Sequence, residues 1–294
     1  MKLIENIVEF ILKSGASAGF SDLAKTRRRM EGGAKFFMPS VRRVELEIKN
    51  IEGVKAAWIE PEDAQKKVLL YLHGGAYVSG SIHTHKNLAS TLAKSAGINA
   101  LMIEYRLAPE HPYPAALEDT VTVYQYLLNN GYQPEDIAVA GDSAGGGLSL
   151  ALLLYLRDHS IPLPKCSVLI CPWVDLTNSS STYETNQDVM LRKEDLDTAV
   201  SMYTAGKVDI KYPYVSPIYG DFENLCPILI HTGGRDALEG EGKQLIEYMK
   251  TSNTSCTYFH EPKGIHVWHA YHPFFPHGKK ANAHIVSFLQ HQFK

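Results

Sequence analysis

The sequence lacks paired cysteines, a long apolar run and an excess of charge of either sign. Its four cysteines, at positions 166, 171, 226 and 256, form no CxxC motif, so we expect buried free thiols in a reducing compartment. No run of about 18 apolar residues occurs, and no transmembrane helix is predicted. Twenty-nine Lys and Arg against 32 Asp and Glu give a formal charge of -3, which is too close to neutral to indicate a nucleic acid partner.

The N-terminal stretch MKLIENIVEFILKSGAS has apolar residues at helical spacing, interrupted by Glu5 and Glu9. These carboxylates break the continuous apolar core of a secretory signal, so we expect a helix docked on the protein body. No stable membrane insertion and a cytoplasmic location are predicted. A basic cluster at Lys25 and residues 27–29 is interpreted as a solvated face.

What the sequence does contain is an alternation of strand-like and helix-like segments. After two alternating strands within residues 41–61, continuous apolar runs such as KVLLYL, INALMI and IAVAG are each followed by a helical segment. Buried strands that alternate with helices predict an α/β fold. We expect a mostly parallel central sheet with helices on both faces and an antiparallel edge.

Residues 178–216 depart from this alternation. They are first polar, then helical through KEDLDTAVSMYTAG, and then rich in Tyr and Pro. Such a long insertion in a doubly wound fold commonly covers the ligand crevice at the C-terminal ends of the strands. We predict a helical cap built from this insertion and from N-terminal helices within residues 1–40, on a core of residues 41–177 and 217–294.

A G-x-S-x-G sequence occupies residues 141–145, between a buried strand and a helix rich in Leu and Ala. In this context it predicts a nucleophile elbow, in which glycines flank Ser143 because the tight strand-to-helix turn leaves no room for a Cβ. The turn also sets Ser143 at a helix N-terminus, where N–H groups stabilise developing negative charge. Ser143 is therefore the predicted nucleophile.

A serine nucleophile needs a base and an acid that orients it. His266 follows the last predicted strand and is preferred as the base over His269. Asp236 follows the preceding strand and is preferred as the acid over Asp175. The other interpretation of Asp175 is a contact that links the cap to the core. The histidines at 266, 269 and 272 lack the carboxylate of helical zinc motifs, so no metal site is predicted.

Small residues after the strand KVLLYL predict an oxyanion hole. Gly74 and Gly75 allow their N–H groups to approach a tetrahedral oxygen, and the N–H of Ala144, beside the nucleophile, joins them.

Several blocks resemble the hormone-sensitive-lipase-like group (family IV) of α/β-hydrolases: HGGA at 73–76, YRLAPEHPYPAALED at 105–119, GDSAGGGL at 141–148 and PWVDLT at 172–177. The resemblance covers roughly residues 40–294. It implies an α/β-hydrolase fold with a cap and hydrolysis of short-chain carboxylic esters without a cofactor. It also implies that Tyr77 and Trp268 face the substrate, although ordinary packing explains both equally well. We predict that Asp142 lines the substrate pocket as well. Ala76 departs from the glycine usual in the family, which puts a third family donor in doubt.

We therefore predict a serine carboxylesterase that acts through an acyl-enzyme on a small ester. The alternatives are a lactone hydrolase, or another acyl transfer, on the same machinery, and a receptor-like binding module without catalysis. The presence of His266 argues against the binding module. Whether the chain forms a homodimer is left open.

Overall fold

The computed structural model describes residues 2–16, 19–37, 41–186, 188–272 and 274–294. The strands within these ranges are β1 Val44–Ile51, β2 Val54–Pro61, β3 Gln65–Leu72, β4 Ile98–Glu104, β5 Ile137–Asp142, β6 Cys166–Ile170, β7 Ile228–Gly233 and β8 Cys256–Glu261. The helices are α1 Lys2–Ala16, α2 Leu23–Phe37, α3 Ile82–Ala96, α4 Ala115–Asn129, α5 Ala144–Asp158, α6 Thr182–Thr185, α7 Lys193–Thr204, α8 Glu239–Met249 and α9 Pro276–Gln292.

The strands form one sheet in the order β1-β2-β4-β3-β5-β6-β7-β8. β2 pairs antiparallel with β1 and with β4, and every pairing from β4 to β8 is parallel. The predicted parallel sheet with an antiparallel edge is confirmed. Because all the parallel strands end at the same side, the loops after β3, β5, β6, β7 and β8 lie near one another.

Helices cover both faces of the sheet, as predicted. Successive residues of β3 point to opposite faces, so Leu70 belongs to the same buried cluster as Leu152 of α5, and Tyr71 to the same cluster as Leu92 of α3. The central strands β5 and β6 are buried along their whole length, which explains their unbroken apolar sequences.

Helix α3 starts at Ile82, because Ser81 and Thr84 form a capping box. The C-terminal helix α9 was not predicted at all. Its buried positions include Ala281, Ile285 and Leu289, separated by polar residues, so its apolar pattern is sparse.

The N-terminal segment and the 178–216 insertion contact each other and the core. The Phe20 N–H donates to Asp195 of α7 at 3.2 Å. Arg27 of α2 donates to the carbonyl oxygen of Val78 at 2.8 Å and pairs with Glu110 at 2.7 and 2.8 Å. The interpretation of Arg27 as part of a solvated face is therefore wrong, because its guanidinium binds the loop after β3.

Residues 1, 17, 18, 38–40 and 187 of the predicted cap lie outside the described residues. Across the part of the chain that is described, no helix has both the length and the apolar character needed to cross a bilayer.

Candidate active site

Ser143 lies on a strained turn between β5 and α5. Its φ is 54° and its ψ is -123°, a conformation that L-residues rarely adopt outside functional sites. A Cβ on Gly141 would overlap the Gly145 carbonyl oxygen, and one on Gly145 would overlap that of Leu72. The turn is thus possible only because the first and last residues of the GDSAG motif are glycine.

The loops after β7 and β8 bring together Asp236 and His266. The Nδ1 atom of His266 lies 3.0 Å from each carboxylate oxygen of Asp236, and since a carboxylate only accepts, Nδ1 carries the proton. The other ring nitrogen, Nε2, is left as the basic atom. Within the described residues no hydrogen bond joins this imidazole to Ser143 Oγ, and such bonds often tighten only with substrate.

The two side chains are almost completely buried, at 1% and 3% exposure. Burial by itself lowers the pKa of a histidine. Here the charge of Asp236 and its hydrogen bond outweigh burial and raise the pKa of His266 above its ordinary value. The imidazolium is therefore stabilised where a general base would form it.

The residue after His266 is itself strained. Val267 has a φ of 48° and is β-branched, a combination that costs free energy in any unconstrained chain. This local conformation directs the chain from His266 into the segment beginning at Trp268. The surrounding packing must hold it in place.

The loop after β3 closely approaches Ser143. A Cβ on Gly74 would lie 3.1 Å from the Cβ of Ser143, and Gly75 has a φ of 120° that favours glycine. No acceptor among the described residues binds the N–H of either glycine. The N–H of Ala144, as the first residue of α5, also has no partner within its helix.

Ala76 occupies the position at which the sequence departs from the family pattern. Its φ is 55°, so this alanine adopts the left-handed conformation that glycine favours. The backbone path is therefore compatible with alanine, at a cost of about 1 kcal/mol for the left-handed region.

Asp142 is buried beneath this loop rather than in an open crevice. Its carboxylate accepts from Tyr71 Oη at 2.7 Å and lies 3.3 Å from His85 Nε2. Burial alone would raise the pKa of Asp142, but His85 and Tyr71 more than offset burial and the pKa is lowered. This network supports the turn from below.

The two rival residues lie elsewhere. The carboxylate of Asp175 binds Thr177 and Ser179 at the start of the insertion, at 2.6 to 3.1 Å. The Nε2 atom of His269 lies 2.9 Å from Nδ1 of His231, and burial lowers the pKa of His269 to about 3. The structure thus joins His266 with Asp236, and within the described residues neither rival forms a hydrogen bond with that pair.

Tyr77 and Trp268 are both packed. The Tyr77 ring stacks on Tyr203 of α7, with a centroid separation of 4.0 Å, and lies 6.0 Å from Trp173. Trp268 is fully buried and its ring packs against Gly264. Contact of either ring with a substrate stays a prediction.

One group of described side chains has atoms close enough to hold a cation: Cys171 Sγ, one carboxylate oxygen of Asp236 and one ring nitrogen of His266 lie within 4.8 Å of one another. Burial raises the pKa of the Cys171 thiol well above its ordinary value, and Asp236 raises it further. Asp236 also accepts the proton on Nδ1 of His266. A cation bound here would have to displace both that proton and the thiol proton of Cys171. This donor set fits an acid–base pair better than a metal.

Sequence reasoning missed the polar side chains that hold the loops of the site. Glu241, in the first turn of α8, accepts the N–H groups of Val174 and Asp175 at 2.6 and 2.7 Å and the Tyr183 hydroxyl at 2.7 Å. Burial raises the pKa of Glu241 to about 8. A lone Glu in an amphipathic helix carries no local signal for such contacts.

Comparison with known proteins gives one family. Residues 69–270 match a protein-family model whose description is the α/β hydrolase fold. An acetyl-hydrolase of Streptomyces hygroscopicus is 39% identical over 237 residues, which are 80% of this chain and 79% of that protein.

Solved structures agree. The crystal structure of an esterase from the bacterial hormone-sensitive lipase family superposes with a TM-score of 0.94, 36% identity and 98% coverage of both chains. That of EstE5 soaked with p-nitrophenyl butyrate superposes with a TM-score of 0.88, 36% identity, and coverage of 92% of this chain and 91% of EstE5.

Proposed function

The chain belongs to the hormone-sensitive-lipase family of α/β hydrolases and is a carboxylic ester hydrolase, and from this premise we propose that it cleaves short-chain esters with Ser143 as nucleophile. The observation that carries the proposal is the buried pair of Asp236 and His266, beside the strained turn that presents Ser143.

In the proposed reaction His266 takes the proton of Ser143 Oγ as the serine attacks the ester carbonyl. The N–H groups of Gly74, Gly75 and Ala144 stabilise the oxyanion of the tetrahedral intermediate. The same imidazole then protonates the leaving alcohol. Water, activated by His266, hydrolyses the acyl-enzyme and releases the acid.

Enclosure of the site supports a small substrate. Ser143 is 8% exposed, and Tyr203 of the insertion stacks on Tyr77, which follows Gly74 and Gly75 in the loop after β3. A long acyl chain would have to displace this packing. The names of the relatives point the same way, since one is an acetyl-hydrolase and another was soaked with a butyrate ester.

We also propose that α1, α2 and the 178–216 insertion act together as a cap. The contact of Phe20 with Asp195, and that of Arg27 with the loop after β3, support a single unit placed over the strand ends. Four free cysteines support the proposed cytoplasmic location.

The test is hydrolysis of p-nitrophenyl esters from acetate to palmitate by the wild-type enzyme and by Ser143→Ala. We expect the highest kcat/KM at acetate or butyrate and a loss of turnover in a folded Ser143→Ala protein. Retained turnover would contradict the serine mechanism, and a preference for palmitate would contradict the chain-length proposal.

Two further measurements separate the alternatives. Higher kcat/KM on a monocyclic lactone than on any linear ester would assign the lactone hydrolase. Failure of a fluorophosphonate probe to label wild-type Ser143 would favour a binding module, because an unactivated serine does not react.

A further inference from the structure

The loop that carries the catalytic acid receives several polar contacts from the predicted cap. We define the acid loop as residues 234–238, between β7 and α8. Arg235, just before the acid, forms two hydrogen bonds of 2.7 and 2.9 Å with the carboxylate of Glu9 on α1. The acid loop is therefore tied to the N-terminal segment.

The 178–216 insertion holds the same loop at two further residues. Asn186 Nδ2 donates to the carbonyl oxygen of Asp236 at 2.7 Å. The N–H of Ala237 donates to Asp188 Oδ2 at 2.8 Å, and Thr182 Oγ1 donates to the Ala237 carbonyl oxygen at 2.7 Å. The backbone on both sides of the Asp236 side chain is thus fixed by the insertion.

Asp188 is itself fixed by its own turn. Its second carboxylate oxygen, Oδ1, accepts the N–H groups of Met190 and Leu191 at 2.7 and 2.9 Å. One carboxylate therefore binds three backbone N–H groups, two within the insertion and one in the acid loop. A rigid carboxylate of this kind transmits the position of the insertion to the acid loop.

The charge of Asp188 also acts on the acid–base pair. Burial raises the pKa of Asp188, the Asp236 carboxylate raises it further, and His266 opposes this rise. In return, the Asp188 charge contributes to the raised pKa of His266, after the larger contribution of Asp236. The three groups are therefore electrostatically coupled.

We propose that Asp188 is a positioning residue of the ester hydrolase, which holds the acid loop and places a second negative charge beside the pair of Asp236 and His266. The inference rests on the proposed function, because it assumes that this pair acts as acid and base. It means that the acid–base pair is complete only when the insertion is seated on the acid loop.

Other ionisable groups around this pair bear on any pH measurement. Those that face His266 or Asp188 are Asp142, Cys171, Arg235 and His269. None of these is altered in the variants below, so a shift of the pH profile reports the loss of the Asp188 charge.

The experiment compares Asp188→Asn and Asp188→Ala with Asp209→Asn as matched control. Asp209 also caps a turn of the insertion, with its Oδ1 accepting the Lys211 N–H at 2.9 Å, but it is exposed. For each protein, kcat and KM on p-nitrophenyl butyrate are measured from pH 5 to 9, together with the melting temperature.

For Asp188→Asn we expect a kcat reduced about tenfold, little change in KM, and an acid limb of kcat/KM moved to lower pH because His266 loses a stabilising charge. Asp188→Ala should lose more activity, since no side-chain acceptor remains for the Ala237 N–H. Asp209→Asn should match the wild-type enzyme.

The proposal is wrong if folded Asp188→Asn keeps the wild-type kcat and acid limb, even when its melting temperature falls, because the role would then be structural only. If Asp188→Ala does not fold, the kcat and the pH profile of Asp188→Asn still test the proposal. Retained activity in Ser143→Ala would instead overturn the proposed function. With an inactive Ser143→Ala, wild-type behaviour of both Asp188 variants overturns only this inference.

Discussion

At the scale of single residues, the chemistry proposed for this esterase depends on one hydrogen-bonded pair. Asp236 fixes the proton on Nδ1 of His266 and leaves Nε2 as the base. The pair is almost completely buried, so bulk solvent competes little for the hydrogen bond between the two groups. Removing the charge of the acid therefore leaves the imidazole without the group that sets its tautomer.

We predict that Asp236→Asn lowers kcat by about 10³- to 10⁴-fold with a much smaller effect on KM, because an amide stabilises the wrong tautomer of His266. Steady-state kinetics on p-nitrophenyl butyrate measures this loss. Asp175→Asn is the comparison, since Asp175 is also buried but binds Thr177 and Ser179. A greater loss of kcat in Asp175→Asn than in Asp236→Asn would reverse the assignment of the acid.

The raised pKa of His266 predicts the position of the acid limb of activity. His266 acts as a base only when neutral, so kcat/KM should fall as the pH drops through a pKa that lies above the ordinary value of 6.5. A profile of kcat/KM against pH measures this limb. A midpoint clearly below 6.5 would mean that burial, which lowers the pKa, outweighs Asp236.

At the scale of secondary-structure elements, the β5–α5 turn is determined by contacts between backbones. Gly145 is the second residue of α5, and a Cβ there would overlap the carbonyl oxygen of Leu72 at the end of β3. The helix can start so close to the strand only because this position has no side chain.

Gly145→Ala should therefore destabilise the fold by several kcal/mol, because the added methyl group meets rigid backbone. Gly33→Ala is the matched control, since Gly33 also lies in a helix, α2, and nothing lies within 4 Å of its added Cβ. We expect Gly33→Ala to raise stability by up to about 1 kcal/mol. Urea unfolding measures both, and equal effects would contradict the argument.

The sequence allowed prediction of those parts of the site that have local signals. The G-x-S-x-G turn and the HGGA segment each carry their conformational requirement within a few residues, so Ser143 and Gly74 could be predicted as site residues without the fold. The contact of Asp188 with Ala237 joins residues 49 positions apart, and no local pattern predicts it. The helix α9 was missed for a related reason, since its sparse apolar residues are identified only by the core they enter.

At the scale of the whole molecule, buried histidines make the stability of the fold depend on pH. His231 bonds His269 at 2.9 Å and His284 at 3.1 Å, on the face of the sheet covered by α9. A further buried histidine, His73, stacks on Tyr105. Burial lowers the pKa of His73 to about 4 and that of His269 to about 3, and it also lowers the pKa of His231.

The unfolded chain binds protons at these histidines near pH 6.5, whereas the folded chain binds them only at lower pH. The contribution of these histidines to the free energy of unfolding is therefore fully present above pH 6.5. It decreases as the pH falls towards 4, by an amount on the order of several kcal/mol. The raised pKa of His266 acts in the opposite direction and offsets part of this loss. Urea unfolding between pH 8 and pH 4.5 measures the sum, and a free energy of unfolding that rises on acidification would contradict the prediction.

The positive φ of Ser143 implies a trade-off between activity and stability. A φ of 54° is strained for serine but natural for glycine, so the residue proposed as the nucleophile weakens the fold that holds it. The Ser143→Gly protein should therefore unfold at a higher temperature than Ser143→Ala, by the equivalent of roughly 1 kcal/mol. Calorimetry of the two variants measures this difference in melting temperature. Equal melting temperatures would show that the conformation of Ser143 does not lower the stability of the fold.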